Sequence, residues 1–459
     1  MEFKKNKMLN KIKFTKKLYR TILSLVCILV IVGLYPGMGG EGAQRDINQW
    51  KLKRDQSGFI VSLFYDGWPS FSDNWLFSFS LFQILVFGVG IKFIHDSLSR
   101  TQMRWSLLLI SSIGFIFMFQ VVRDATLLAL CTLGLGLTLR SKKSVHRLNK
   151  ILFVFGIVIL ITGALFKPVT APIVALIFYL FCRNKNIFRI SKLCAIFISV
   201  IILVSPFLID KKVTSELEMK RTFAEQQLFI FDAAKMYCWG HNSKSTQIAK
   251  ELLKPFLSVD SDYESLCASL EPMGWDDLRR SLPSVDKSPA ITWYSKGDSS
   301  VLQGLVSGWV KLIRTSPFEW LQIKAIDASQ VLFMANGIYF EPLLINTKGS
   351  SPSSIGDMVL EVLFTPAKLL DRLRIFSISF SLIFGLILIY LNGRMYPYRR
   401  KFDLVILNFL LINISTWILL TLLYIANPGR YSLPFVLLSY VYLIVAVDSI
   451  YNKSHDMQA

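Results

Sequence analysis

The sequence predicts an all-α integral membrane protein, a bundle of about ten transmembrane helices carrying one large helical loop domain. Three observations lead there. The 459 residues are 53% hydrophobic with 35 Phe, and mean hydropathy is +0.47, more apolar surface than one soluble core can take up. Apolar runs recur at close to the roughly 20 residues that a helix needs to cross hydrocarbon. Clusters of Lys and Arg fall in every second linker between those runs, the asymmetry that orients helices across a bilayer. The net charge of +20 therefore does not mark a nucleic-acid partner, because the basic residues interrupt apolar runs instead of lining one soluble face.

Taken in order, Lys4, Lys5, Lys7, Lys11, Lys13, Lys16, Lys17 and Arg20 precede a first span at 21–34 and put the N-terminus in the cytoplasm. A cleaved signal peptide is the alternative, disfavoured by the long basic stretch and by the lack of a clean small-x-small site before Tyr35-Pro36-Gly37. The loop 35–73 is then external, and its apolar patch 59–65 is expected to lie in the membrane interface. A second span, 75–93, returns to Lys92, His95, Arg100 and Arg104. Spans 105–122 and 126–139 meet externally at Arg123-Asp124, and Arg140, Lys142, Lys143, His146, Arg147 and Lys150 mark the inside again. The hairpin of 151–166 and 172–182 turns externally at Lys167-Pro168, and Arg183, Lys185, Arg189 and Lys192 bring it back.

After an outward span at 193–209, no basic excess appears until Arg394, Arg399, Arg400 and Lys401, which follow the span 375–391. Spans 404–425 and 431–449 complete the chain, with a short cytoplasmic tail. The domains are thus an N-terminal bundle 1–209, a loop domain 210–373 and C-terminal spans 374–459, and the count is open by one pair because 126–139 and 172–182 are short. Both termini are expected in the cytoplasm and the loop in the periplasm of a bacterial inner membrane. Within the loop domain, amphipathic helices are expected at 222–236 and at 301–333 around Trp309, Ile313, Trp320 and Ile323, with a break at 349–356. Its Trp and Phe stripe reads as core, Asp232 as part of an exposed face, and His241 as a residue without ligand spacing.

Cys27, Cys131, Cys182 and Cys194 sit in or beside apolar runs, where a thiol is a small hydrophobe. Cys238 and Cys267 share the loop domain, so a disulfide and two free thiols are both open there. No CxxC or His/Cys cluster suggests a metal.

Charges close to a membrane plane are costly, which singles out Asp46, Asp66, Arg123, Asp124 and Arg430, all expected on the outer face. Arginines there suit phosphate oxygens, and a carboxylate suits general-base work on a substrate whose tail stays in the bilayer. Blander readings stand beside each: a solvated loop carboxylate for Asp46, an Asp-Gly turn for Asp66, a self-paired couplet for Arg123-Asp124, and an interfacial anchor beside Tyr431 for Arg430.

Tyr35-Pro36-Gly37 followed by Asp46-Ile47-Asn48-Gln49, then Asp66-Gly67-Trp68-Pro69, resembles polytopic bacterial glycosyltransferases of the GT-C fold. Arg123-Asp124 on the second outer turn, the W-x-x-x-I-x-x-x-P spacing of Trp309, Ile313 and Pro317, and Asn427-Pro428-Gly429-Arg430-Tyr431 extend the resemblance over most of the chain through short degenerate motifs. It implies transfer of a hexose from a polyprenyl-phosphate-linked sugar donor to a lipid-linked polysaccharide acceptor, with lipopolysaccharide O-antigen as the expected class. By the same resemblance Asp46 is the base on the acceptor hydroxyl, Arg123 and Arg430 hold the donor phosphate, and Gln49, Asp66, Asp124 and Tyr431 support them. Trp68 departs from the family, which often has His before that Pro. No cofactor is expected, although a divalent cation at the phosphate stays open. The rival functions are an O-antigen polymerase, which joins whole repeat units, and a transporter or flippase, which calls for mid-membrane charges or an inverted repeat.

Overall fold

The computed structural model describes residues 60–61, 64, 68, 75–118, 123–141, 146–184, 187, 190–217, 226–256, 263–270, 299–333, 377–392, 399–422 and 428–456. Every span expected between 75 and 449 coincides with a helix: α1 (Trp75–Ser97), α2 (Thr101–Phe117), α3 (Arg123–Ser141), α4 (His146–Leu165), α5 (Ala171–Arg183), α6 (Lys192–Glu216) and, after the loop domain, α12 (Ile378–Asn392), α13 (Arg399–Leu422) and α14 (Pro428–Asp456). No strand occurs among the described residues. Among the described residues, four stretches are long and apolar enough to cross a membrane, Ser78–Ser97, Lys192–Glu216, Lys401–Leu422 and Tyr431–Tyr451. Three apolar helices, Lys150–Leu165, Pro168–Arg183 and Ile378–Asn392, are shorter. The expected first span at 21–34 lies outside the described residues.

α3 is the hub, buried along nearly all its length between α1 and α4. Glycines permit that approach. A Cβ on Gly90 of α1 would stand 2.6 Å from the Leu133 amide nitrogen of α3, and one on Gly134 would stand 2.8 Å from the Gly156 carbonyl of α4. Backbone meets backbone there, the small-residue packing that joins helices where water supplies no driving force. α14 is buried almost throughout against α2, α3, α5 and α13. α6 is the opposite: it packs on α4 and α5, while Leu193, Phe197 and Leu208 stand exposed along its outer face.

Polar contacts sort the two ends of the bundle. At one end the Asp448 carboxylate accepts from the Ser99 amide at 3.0 Å, the Ser99 hydroxyl at 2.8 Å and the Arg100 amide at 2.9 Å. Those bonds cap α2, which is why it starts at Thr101, ahead of the expected 105. Arg140 meets Asp96 at 3.5 Å at this same end. The opposite end gathers the start of α3, the turn after α4 and the start of α14.

The loop domain is built from α7 (Gln226–Trp239), α8 (Ser243–Leu253), α9 (Tyr263–Ser269), α10 (Ser299–Thr315) and α11 (Pro317–Phe333), around buried Phe231, Met236, Leu253, Leu266, Leu312 and Ile323. Two boundaries correct the sequence reading. α6 runs past residue 209 to Glu216, with Lys212 and Glu216 paired at 3.8 Å on its last turn. The single stripe expected over 301–333 is two helices, because Pro317 has no amide to donate and disfavours helical backbone at Ser316, while being well suited to open α11. Cys238 and Cys267 are bonded, with Cα atoms 5.4 Å apart, and so fasten the end of α7 to α9. α11 reaches the bundle itself: it packs on α12 and α13, and the Trp417 indole of α13 donates to the Ala328 carbonyl at 2.8 Å.

Candidate functional site

At the bundle end opposite Asp448, Asp124 stands in the first turn of α3, where the helix dipole favours a carboxylate. Its side chain is buried and accepts from Lys167 Nζ at 2.8 Å. Lys167 lies in the turn between α4 and α5, and the same ammonium sits 3.0 Å from the centroid of the Tyr431 ring on the first turn of α14. One cation thus joins three helices through an ion pair and a cation–π contact. Arg123, next to Asp124, is half-buried, and Arg430, next to Tyr431, belongs to the same turn of α14.

Four described residues ahead of α1, Ile60, Val61, Phe64 and Trp68, pack at this end. Ile60 and Val61 are buried with Phe79, Leu130, Leu165 and Phe166. Phe64 meets the Phe166 ring at 5.5 Å, and Trp68 packs edge-on to Phe79 at 5.1 Å while its indole donates to Ser78 at 2.8 Å. The patch expected at 59–65 to lie in the membrane interface is, at these positions, seated on the bundle. Phe166 adjoins Lys167, so this aromatic cap flanks the ion pair.

Beside it runs an apolar cleft of about 280 Å³ between α5 and α13, lined by Pro172, Ile173, Leu176, Ser415, Ile418, Leu419 and Leu422. Pro172 stands on the first turn of α5, five residues after Lys167, so the cleft lies toward the same end of the bundle. A charged cluster and an apolar cleft toward the same end of the bundle are features suited to an amphiphile with an anionic head.

A second polar centre lies in the loop domain. The Asp232 carboxylate of α7 accepts from the indoles of Trp309 and Trp320, each at 3.1 Å, and from Lys324 at 2.7 Å. Lys324 also meets Asp327 at 3.4 Å, and Asp327 pairs with Lys235. Asp232, Lys235 and Asp327 are fully buried, which corrects the expectation of an exposed face for Asp232. Burial pushes the Lys235 ammonium below, and the Asp327 carboxyl above, their ordinary values, each opposed by the other's charge. Two carboxylates and two ammoniums cancel, and the indoles occupy the remaining acceptor oxygen, so the group is tolerated without water. Nearby, Glu319 accepts from the amides of His241 at 2.8 Å and Asn242 at 2.7 Å and from the Ser245 hydroxyl at 2.9 Å. Burial pushes its carboxyl up, but the hydrogen bonds from His241, Ser245 and Asn242 outweigh it and hold the group below the ordinary carboxylate value.

Of the residues picked out in the sequence, Arg123, Asp124, Arg430 and Tyr431 are gathered at one end of the bundle, and Cys238 and Cys267 are joined elsewhere. Asp46, Gln49 and Asp66 lie outside the described residues. The sequence presents Lys167 only as a turn residue; its signal is a solitary cation between two apolar runs. The buried four-charge group was signalled by opposite charges three residues apart, Asp232 with Lys235 and Lys324 with Asp327, inside otherwise apolar helices. The chain matches no protein-family model, no characterised protein and no solved structure.

Proposed function

We propose that this chain is a membrane glycosyltransferase that moves a hexose from undecaprenyl-phosphate-sugar to a surface polysaccharide, with lipopolysaccharide O-antigen as the acceptor class. The observation that carries the reading is the Asp124–Lys167–Tyr431 cluster at the end of the bundle toward which the apolar cleft lies, with Arg123 and Arg430 on the same turns as Asp124 and Tyr431. A polyprenyl tail fits the cleft and its phosphate fits these cations. The bond between Cys238 and Cys267 suits an oxidising compartment such as the periplasm, where the acceptor is displayed.

In this reading Asp46 takes the proton of the acceptor hydroxyl, and the oxygen attacks the anomeric carbon on the face opposite the phosphate. The bond from that carbon to the phosphate oxygen breaks, and polyprenyl phosphate leaves with the electron pair. One displacement inverts the anomeric centre. Arg123, Arg430 and Lys167 stabilise the negative charge gathering on the leaving phosphate, and Asp124 and Tyr431 hold Lys167 in place.

The test is the glycan structure of the host's surface polysaccharide with the gene intact, deleted, and replaced by Asp46→Asn or Lys167→Met. Loss of one side-chain sugar in the deletion and in both variants is the expected result. Full sugar transfer by an inserted Asp46→Asn protein would remove the base assignment, and an unchanged glycan in the deletion would remove the function. Single unpolymerised repeats would favour the polymerase.

A further inference from the structure

α11 is built inside out. Its buried side carries the charges: Lys324 is 7% exposed and Asp327 is 0% exposed, alongside Ile323 and Val331. On the opposite side Phe318, Leu321, Gln322, Ala325, Ile326 and Ser329 stand exposed, spaced three and four residues apart along one stripe, with no ionisable group among them. Phe318 is 80% exposed, Leu321 54% and Ile326 42%. The neighbouring α8 has the ordinary arrangement, with Ala249 and Leu253 buried and Lys244, Gln247, Lys250 and Glu251 outward. A helix in water does not turn its ion pairs inward and its Phe, Leu and Ile outward. An apolar surrounding accounts for both faces at once.

The position of α11 says what that surrounding is. Ala328, among the exposed stripe's own turns, accepts from Trp417 of α13, a helix long and apolar enough to cross a membrane. α13 presents Leu407, Leu411, Ile414, Ile418 and Leu422 outward, and α11 packs against this helix. Lys311 and Arg314, both exposed on the last turns of α10, stand just ahead of Phe318, where cations meet lipid phosphates. We propose that α11 is an interfacial helix whose stripe of Phe318, Leu321, Ala325 and Ile326 is sunk into the acyl boundary of the phospholipid bilayer, so that the loop domain rests on lipid beside the cleft. The stripe's occupant is lipid, not a protein partner, and the four buried charges fix the helix's rotation so that this face points down.

The proposal stands apart from the glycosyltransferase reading, and its test has no activity readout. The full chain carrying the photo-crosslinker p-benzoylphenylalanine at Phe318, or separately at Leu321, is reconstituted in phosphatidylethanolamine–phosphatidylglycerol vesicles, irradiated and weighed by mass spectrometry. Leu411 serves as the lipid-facing control and Gln247 as the water-facing one. A mass increase of one phospholipid is expected at both α11 positions, within about twofold of the yield at Leu411 and roughly tenfold above that at Gln247. Lys311→Gln with Arg314→Gln should lower the yield at Phe318 in these anionic vesicles and not in phosphatidylcholine ones. Adducts to protein, within the chain or to a second copy, or no adduct at either position while Leu411 labels lipid, would overturn the proposal.

Discussion

Replacing Asp327 by Leu removes one carboxylate from a fully buried group of four charges. The ammoniums of Lys235 and Lys324 then share one carboxylate fewer, and Lys235 loses its ion pair with Asp327. Breaking a buried ion pair on one side costs about 3–5 kcal/mol, because the stranded charge has no water to return to. At about 1.4 kcal/mol per decade that is roughly a hundredfold to several-thousandfold rise in the opening of α11. Pairing the change with Lys235→Met removes one charge of each sign and leaves Lys324 on Asp232 at 2.7 Å with both indoles still donating. The double variant is therefore expected to lose less than about 1.5 kcal/mol, the ordinary cost of a roughly isosteric apolar swap. Hydrogen exchange of α7 and α11, followed by mass spectrometry on the full chain in nanodiscs, reads both. If the single variant accelerates exchange less than about tenfold, or if the double variant is as fast as the single, the buried-charge reasoning fails.

A methyl group at Gly136 would stand 2.6 Å from the Gly90 carbonyl, so Gly136→Ala should part α3 from α1 and cost about 1–3 kcal/mol. Gly304→Ala in α10 meets nothing within 4 Å and should instead stabilise by up to about 1 kcal/mol; thermal opening followed by dye labelling of buried Cys131 and Cys182 compares the two with the native chain. Cys238→Ser opens a link spanning 29 residues and should cost the loop domain about 3–4 kcal/mol by loop entropy, read as faster exchange in α7 and α9; unchanged exchange would contradict it. Glu319 titrates below its ordinary value in the fold, so its contribution is present above the unfolded value and lost as pH falls through the folded one. Protection of the His241 and Asn242 amides should accordingly hold down through the ordinary carboxylate range and drop only below it, and Glu319→Gln should flatten that dependence.

Helix positions in the bundle were legible because hydrocarbon-spanning runs and basic linkers are signals written in consecutive residues. The limits of those runs were less legible, since they depend on partners distant in sequence: Asp448 sets the start of α2, and nothing near Ser99 announces it. The charges at the end opposite Asp448 were legible for the same reason as the helices, because Arg123-Asp124 and Arg430-Tyr431 interrupt apolar stretches. Lys167 went unread as a site residue because its meaning comes from two partners, Asp124 and Tyr431, that only the packing brings within 3 Å. Asp232 misled for a related reason. A single acid in an apolar helix defaults to a solvent face, and only Lys324 from another helix, with two tryptophan indoles, turns it inward.

The cap on α2 also sets an order of events in the making of the protein. Ser99 and Asp448 are 349 residues apart, so the α1–α2 turn leaves the ribosome long before its capping carboxylate exists. At about 5–20 residues per second, translation keeps those amides waiting for roughly 20 to 70 seconds. Until α14 slides into place the α1–α2 hairpin has to lean on lipid, water or the insertion machinery, so a helix made much later closes the first turn of the described bundle. Chains that stop short of α14 are thus expected to be fragile at the α1–α2 hairpin, and a quality-control protease would find its opening there and not at the truncated end.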